Sequence, residues 1–290
     1  MAVSADIHTL YSSDFYRILD FKCRCVDCIT SKPEYSNSFC ISFVRKGNFL
    51  FNVFRRSLDS YNGCTLITKP GYERTVTHTH TVPDECTIFD FKMDFYPELL
   101  EQYGNTGFFQ DNDVHSTLIT TNSELEFLHY YVLELIRSKG SKLQIDNLVM
   151  EIIAHTIPSI TAYEPDKAIT KALKKNHLIT IERAKEYILN HFRDDISLME
   201  IAAWCHVSPF HFSRIFKKFT KEAPHQFLLN IRLNQAEITL LNTDLPVADI
   251  AYTSGFNSVE YFTSAFRRKY KSPPASFRKS GIGLQNSKIS

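Results

Sequence analysis

Between Ile201 and Arg278 the chain repeats itself at an offset of 49 to 50 residues, which restricts this stretch to one supersecondary unit used twice. Ile201-Ala-Ala-Trp-Cys-His-Val-Ser208 answers to Ile250-Ala-Tyr-Thr-Ser-Gly-Phe-Asn-Ser258, and Phe212-Ser-Arg-Ile-Phe-Lys-Lys218 to Phe262-Thr-Ser-Ala-Phe-Arg-Arg268. The match runs on past each helix, where Lys221-Glu-Ala-Pro-His-Gln-Phe227 answers to Lys271-Ser-Pro-Pro-Ala-Ser-Phe277.

Each copy has the grammar of a helix-turn-helix. A short apolar helix, Leu198 to Cys205 or Val247 to Ser254, carries a small residue, Ala202 or Ala251, where a partner helix must approach closely. A tight turn follows. Gly255 supplies positive φ in the second copy, and His206 stands there in the first, one of the side chains that enter that region with some frequency. Ser208 or Ser258 then caps the next helix. That helix has an aromatic inner face, Phe212, Ile215, Phe216 and Phe219 in one copy and Phe262, Ala265 and Phe266 in the other. Its outer face carries Phe210, His211, Arg214, Lys217 and Lys218, or Val259, Glu260, Ser264, Arg267 and Arg268. Hydrogen-bonding and small apolar groups in the first turns, with paired cations further along, suit a helix whose N-terminal part reads base edges while the later cations grip phosphates.

Charge divides along the same line. Residues 1–165 carry 14 Lys/Arg against 21 Asp/Glu, whereas residues 166–290 carry 19 against 11, so the C-terminal part has the sign a polyphosphate partner requires. Over about residues 180 to 280, and most closely from Ile250 to Arg278, the chain resembles the AraC/XylS family of bacterial transcription regulators. Its sequence there looks like the signature I-A-x-x-x-G-F-x-S-x-x-Y-F-x-x-x-F-[KR]-[KR] followed by G-x-[ST]-P-x-x-[YF]-R. It departs from that pattern at Lys271, where the family usually has Gly, and at His206 in the first turn. The resemblance implies seven helices, two helix-turn-helix units joined by a long helix (about Pro224 to Leu241), and recognition helices over 209–219 and 259–270. These would enter successive major grooves about 34 Å apart. Carried over by motif position, Phe210, His211 and Arg214 are base-proximal in the first unit, and Val259, Glu260, Tyr261 and Ser264 in the second. Arg214 suits guanine, and Glu260 suits cytosine N4.

The first 120 residues read differently. Short runs rich in Phe, Thr, Val and Ile, such as Phe39 to Val44, Asn48 to Phe54 and Thr87 to Phe91, are separated by the turns Arg45-Lys-Gly47, Ser60-Tyr-Asn-Gly63 and Lys69-Pro-Gly71. Many short strands at this spacing indicate a β-sandwich or barrel. Helical periodicity then begins, with Leu125, Leu128, Val132 and Leu135 on one face behind a Ser123 cap. A second helix, about Ile145 to Ile157, presents Leu148, Ile152 and Ile153 and stops at Pro158. This pair packs on the β-domain or forms a dimer contact. The expected architecture is α+β in two domains: an N-terminal cupin-like β-barrel with a helical dimerisation pair (1–160), a polar linker with Pro165 (161–178), and an all-α DNA-binding domain (179–282). The resemblance implies double-stranded DNA, a small-molecule effector and a second copy of the chain as partners, and activation as the commoner output, which adds RNA polymerase.

Two constellations in the N-terminal part have metal-ligand character. Cys23-Arg-Cys-Val-Asp-Cys28 places Cys23, Cys25 and Cys28 within six residues, a thiolate spacing suited to zinc or copper(I). His78 and His80 alternate in the strand-like segment Thr75 to Val82, with Glu85 five residues beyond, and look like a cupin metal motif. Cys40, Cys64 and Cys86 read as small buried residues. Apart from zinc or a similar ion at these groups, no cofactor is expected. The odd count of seven cysteines in a chain of this size favours reduced thiols over a bridge framework. No Walker loop, nucleophile elbow or dinucleotide fingerprint occurs, so the expectation is a non-enzymatic regulator. The alternatives are a thiol or metal sensor, and a metal-dependent cupin enzyme fused to the DNA-binding module. No run of 18 or more apolar residues and no signal-peptide pattern occurs, which gives a cytoplasmic expectation without membrane contact.

Overall fold

The computed structural model describes residues 5–24, 30–79, 83–160 and 169–279, in two compact units that part between Glu182 and Arg183. The first is built on ten strands: β1 (Ala5–Ser12), β2 (Tyr16–Cys23), β3 (Glu34–Ser36), β4 (Phe39–Lys46), β5 (Asn48–Val53), β6 (Arg56–Tyr61), β7 (Cys64–Thr68), β8 (Tyr72–His78), β9 (Glu85–Phe91) and β10 (Ser116–Thr120). They form a six-stranded sheet in the order β1-β2-β9-β4-β7-β10 and a four-stranded sheet in the order β3-β8-β5-β6. Every pairing is antiparallel.

Period-two patterning is clearest in β5, where Phe49, Phe51 and Val53 point inward and the residues between them are half-buried. The core is aromatic. Tyr16, Phe39, Phe89 and Phe91 are fully enclosed, with Phe39 and Phe91 centroids 5.9 Å apart. Between β9 and β10 the chain forms a 3-10 turn (Met93–Phe95) and two short helices, α1 (Tyr96–Tyr103) and α2 (Gly107–Gln110), whose Phe95, Leu99, Phe108 and Phe109 extend that core.

The helical pair follows as α3 (Ser123–Arg137) and α4 (Lys142–Thr156). Leu125, Leu128 and Val132 are buried as the periodicity required, and Leu135 is half-buried. The cap lies one residue earlier than the sequence suggested: Asn122 accepts from the Leu125 amide at 2.9 Å, and Ser123 is the first helical residue, itself buried. Asn and Ser are near-equal caps, so the sequence left the choice to the tertiary contacts. Both helices pack on the sheets. His129 of α3 stacks on Phe43 with centroids 4.4 Å apart, and Tyr16 Oη donates to Asp146 of α4 at 2.6 Å.

Residues 161–168 of the expected linker lie outside the described residues, but its remainder is not a linker. Helix α5 (Lys171–His191) begins inside it and runs past the boundary between the units. The lysines that made this stretch look solvated are amphipathic, and one is buried. Lys174 is only 7% exposed, pairs with Asp59 and lies 3.9 Å over the Tyr61 ring, while Ile169, Leu178 and Ile181 are buried beside it in sequence.

The second unit continues with α6 (Leu198–Trp204), α7 (Pro209–Thr220), α8 (Pro224–Asn242), α9 (Val247–Thr253) and α10 (Val259–Tyr270), and residues 274–279 are again helical. Among the described residues no helix is long and apolar enough to cross a membrane.

Candidate nucleic-acid interface

The duplication in sequence is a duplication in backbone. In the first unit the His206 amide donates to the Ala203 carbonyl and the Val207 amide to Ala202, both at 3.0 Å; in the second, Gly255 donates to Tyr252 and Phe256 to Ala251, again both at 3.0 Å. His206 and Gly255 take φ of +56° and +89°, as the turn requires. Ser208 accepts from the His211 amide at 3.4 Å and Ser258 from the Tyr261 amide at 3.2 Å, so each serine caps its second helix. Both helices end on a lysine in the left-handed region, Lys221 at φ +64° and Lys271 at φ +58°. The missing family glycine at 271 therefore leaves the loop geometry intact, with lysine carrying the strain.

Every inner-face residue named from the sequence is buried: Phe212, Ile215, Phe216 and Phe219 in α7, and Phe262, Ala265 and Phe266 in α10. The two units share α8. Phe227 of its first turn meets Phe216 edge-on with centroids 5.4 Å apart, while Leu233, Ala236 and Leu240 of its later turns join Ile250, Ala251, Phe256, Phe262 and Phe266 in one cluster. Arg278, at the end of the motif, donates to the Leu245 carbonyl at 2.6 Å.

What remains outside follows the sequence reading. Phe210 stands 80% exposed on the first turn of α7 with half-buried His211 beside it, and Arg214, Lys217 and Lys218 are exposed further along. On α10, Glu260, Tyr261, Ser264, Arg267 and Arg268 are exposed. Val259 divides its surface between the second unit's core and a shallow concavity that it lines with Glu260, Thr263, Ser264 and Arg267. Arg214, Lys217, Lys218, Arg267 and Arg268 enter no ion pair among the described residues, so five cations on two helices have no carboxylate to neutralise them. A hydrogen bond from Ser258 Oγ (2.7 Å) holds the Glu260 carboxyl below the usual range, which keeps it an ionised acceptor.

The N-terminal candidates divide. Cys25, Cys28 and His80 lie outside the described residues. Cys23 and His78, drawn from two separate motifs, come together: Cys23 Sγ lies 3.7 Å from Nδ1 and 3.9 Å from Nε2 of His78. The acidic partner of His78 is Asp84, whose Oδ2 is 2.7 Å from Nδ1. Glu85, the acid suggested by the motif spacing, pairs instead with Lys46 at 3.2 Å and Arg45 at 3.9 Å. Neighbouring residues along an extended chain face opposite ways, so a step of one exchanged the two carboxylates. Cys64 and Cys86 are buried as expected and Cys40 half-buried. Burial pushes the Cys40 and Cys205 thiols up to about 11, making them poor nucleophiles.

Two helix-turn-helix units in tandem on a shared helix, each presenting cations from its second helix, define a DNA-binding domain. A family model described as a helix-turn-helix domain matches residues 201–280. The regulatory protein PocR of Salmonella typhimurium is 31% identical over 102 residues, covering 35% of this chain and 34% of PocR. The bifunctional transcriptional activator/DNA repair enzyme AdaA of Bacillus subtilis is 32% identical over 98 residues, 34% of this chain and 46% of AdaA. The crystal structure of the AdpA DNA-binding domain in complex with a target DNA aligns with 37% of this chain and 96% of that one, at 28% identity and a TM-score of 0.36. The matched segment spans about a third of PocR and just under half of AdaA. Residues 201–280 are thus similar to the DNA-binding domains of AraC-type regulators.

Proposed function

We propose that this chain is a sequence-specific transcription regulator whose helices α7 and α10 read adjacent major grooves of double-stranded DNA. The observation that carries the reading is the pair of matching surfaces: two capped helices in the same backbone setting, polar or aromatic in the first turn and cationic further along. Phe210, His211 and Arg214, with Val259, Glu260, Tyr261 and Ser264, face the bases, while Lys217, Lys218, Arg267 and Arg268 face phosphates. No enzymatic step is needed, and the site of action is the cytoplasm, where bacterial DNA lies. The name of AdaA describes an activator, and that output, with RNA polymerase as the further partner, is carried over here.

The β-domain is proposed as a cupin-like effector unit. A cavity of about 290 Å³ lined by Val53, Phe54, Arg55, Leu58, Asp113 and His115 supports a small-molecule ligand there. Dimerisation is supported by an apolar stripe that the monomer leaves open on α4, with Leu143 69% and Met150 44% exposed at positions i and i+7 and exposed Ala154 continuing it. The domain scheme follows, with residues 1–160 as the effector and dimerisation part and 179–282 as the reader.

The test is binding of the full chain to its own upstream DNA and to random duplex across a salt series. Arg214→Ala is expected to erase the preference between the two DNAs. Arg268→Ala is expected to weaken binding to both and to flatten the slope of log K against log salt by about one. No duplex bound above background at low salt, with or without candidate effectors, would overturn the reading.

A further inference from the structure

The polar cluster at the strand ends of the β-domain lies outside the second unit's helices and has a chemistry of its own. Cys23 is the last residue of β2 in the six-stranded sheet, His78 the last of β8 in the four-stranded sheet, and Asp84 immediately precedes β9. They are 3%, 4% and 1% exposed. Among the described residues they form the one group of three such side chains whose ligand atoms all lie within 4.8 Å of one another. Burying a thiol, an imidazole and a carboxylate together is costly unless each is compensated. The Asp84–His78 hydrogen bond pairs the ring with the carboxylate, and the sulfur lies within 4 Å of both ring nitrogens.

The backbone around the cluster is fixed. The Cys23 amide donates to the Asp84 carbonyl at 2.8 Å, tying two ligand-bearing segments together. Gly47 turns at φ +80°, and a Cβ there would stand 2.3 Å from Asp84 Oδ1, so the position of the carboxylate depends on a glycine across from it.

We propose that Cys23, His78 and Asp84 form a binding site for one zinc-class divalent cation, held by thiolate Sγ, imidazole nitrogen and carboxylate oxygen with a fourth coordination position left over. Metal–sulfur bonds of about 2.3 Å and metal–nitrogen or –oxygen bonds of about 2.0–2.2 Å place tetrahedral donors roughly 3.4–3.6 Å apart. The sulfur–nitrogen separation of 3.7 Å is already near that value, and the Asp84–His78 pair at 2.7 Å has to open by roughly 0.7–0.9 Å to admit the ion. Thiolate and imidazole exclude magnesium and calcium, which take oxygen ligands, and select a borderline-soft ion. On binding, the Cys23 S–H gives its proton to solvent and the sulfur bonds the metal, with His78 neutral and no change of oxidation state.

Cobalt(II) added to the chelator-stripped full chain tests this by absorption. The wild type is expected to take one equivalent, with a thiolate-to-cobalt charge-transfer band and the intense visible bands of a four-coordinate ion, both bleached by zinc. Cys23→Ser is expected to abolish the charge-transfer band, His78→Gln and Asp84→Asn to weaken binding about 10-fold or more, and Cys40→Ser to change nothing. Zinc is also expected to raise the thermal midpoint of the wild type but not of Cys23→Ser, an arm that does not require the His78 and Asp84 variants to fold. No cobalt spectrum from the wild type, no zinc-dependent rise in its midpoint, or a charge-transfer band undiminished in both folded His78→Gln and Asp84→Asn would overturn the proposal; in the last case thiols elsewhere hold the ion.

Discussion

The two helix-turn-helix units solve one backbone problem with different side chains, and the differences sort by what surrounds them. In the second unit the turn residue must be glycine, because a Cβ at Gly255 would lie 2.6 Å from the Phe192 carbonyl and 2.9 Å from Arg232 Nε, an arginine that bonds that same carbonyl at 2.7 Å. In the first unit the corresponding His206 is exposed, so a side chain is tolerated at the cost of its left-handed backbone. Where the turn is pressed against its neighbours the residue type is dictated by space; where it faces solvent only φ matters. The outer faces diverge more freely still, Phe210, His211 and Arg214 against Glu260, Tyr261 and Ser264, as the proposal that each helix meets different base pairs requires.

This comparison can be broken by matched substitutions, each followed by urea unfolding through the fluorescence of Trp204, the chain's only tryptophan, which lies on α6 within 5.4 Å of Tyr187. Phe212→Ala and Phe262→Ala, both at fully buried rings, are expected to cost the C-terminal unit about 3–5 kcal/mol each. Unequal losses would mean that the two cores do not carry equal weight. Gly255→Ala is expected to cost about 2–4 kcal/mol from left-handed strain plus the clash, and His206→Gly to stay within about 1 kcal/mol. Equal responses at the two turns would remove the distinction drawn between them. Removing the caps, Ser208→Ala or Ser258→Ala, is expected to cost about 1 kcal/mol in each unit.

The smallest effect is specific to the second unit and depends on pH. The Glu260 carboxyl is lowered by its Ser258 hydrogen bond, so the pair's contribution is present above the ordinary glutamate range and is lost as pH falls through the lowered value. The first unit has Phe210 in that place and no such acid-sensitive term. Carbon NMR titration of Glu260 is expected to show its midpoint rising towards the ordinary value in Ser258→Ala; an unmoved midpoint would assign the shift to another cause.

Most of the second unit is legible in the amino-acid sequence alone. Two turns, two serine caps, the inner faces and the bounds of α8 to within a residue follow from patterns that close over a few positions, because helix periodicity, capping and positive φ are local properties of the chain. Strands β4, β5, β8 and β9 are legible for the same reason, through alternation and turn residues. Local patterns mislead where tertiary burial reverses the usual habit of a residue. Lysines at 167–175 have the look of a solvated linker, yet α5 buries Lys174 against Asp59 and Tyr61. The histidine motif offers Glu85 where the chain delivers Asp84.

The sequence by itself thus determined a duplicated, cation-bearing DNA-binding domain behind a β-rich one. Only the tertiary structure decided that Cys23 meets His78 across 55 positions of chain, with Asp84 closing the cluster. Strand pairing brings segments together according to register and sheet order, which depend on the whole set of apolar faces finding one packing, and no short window of sequence holds that information.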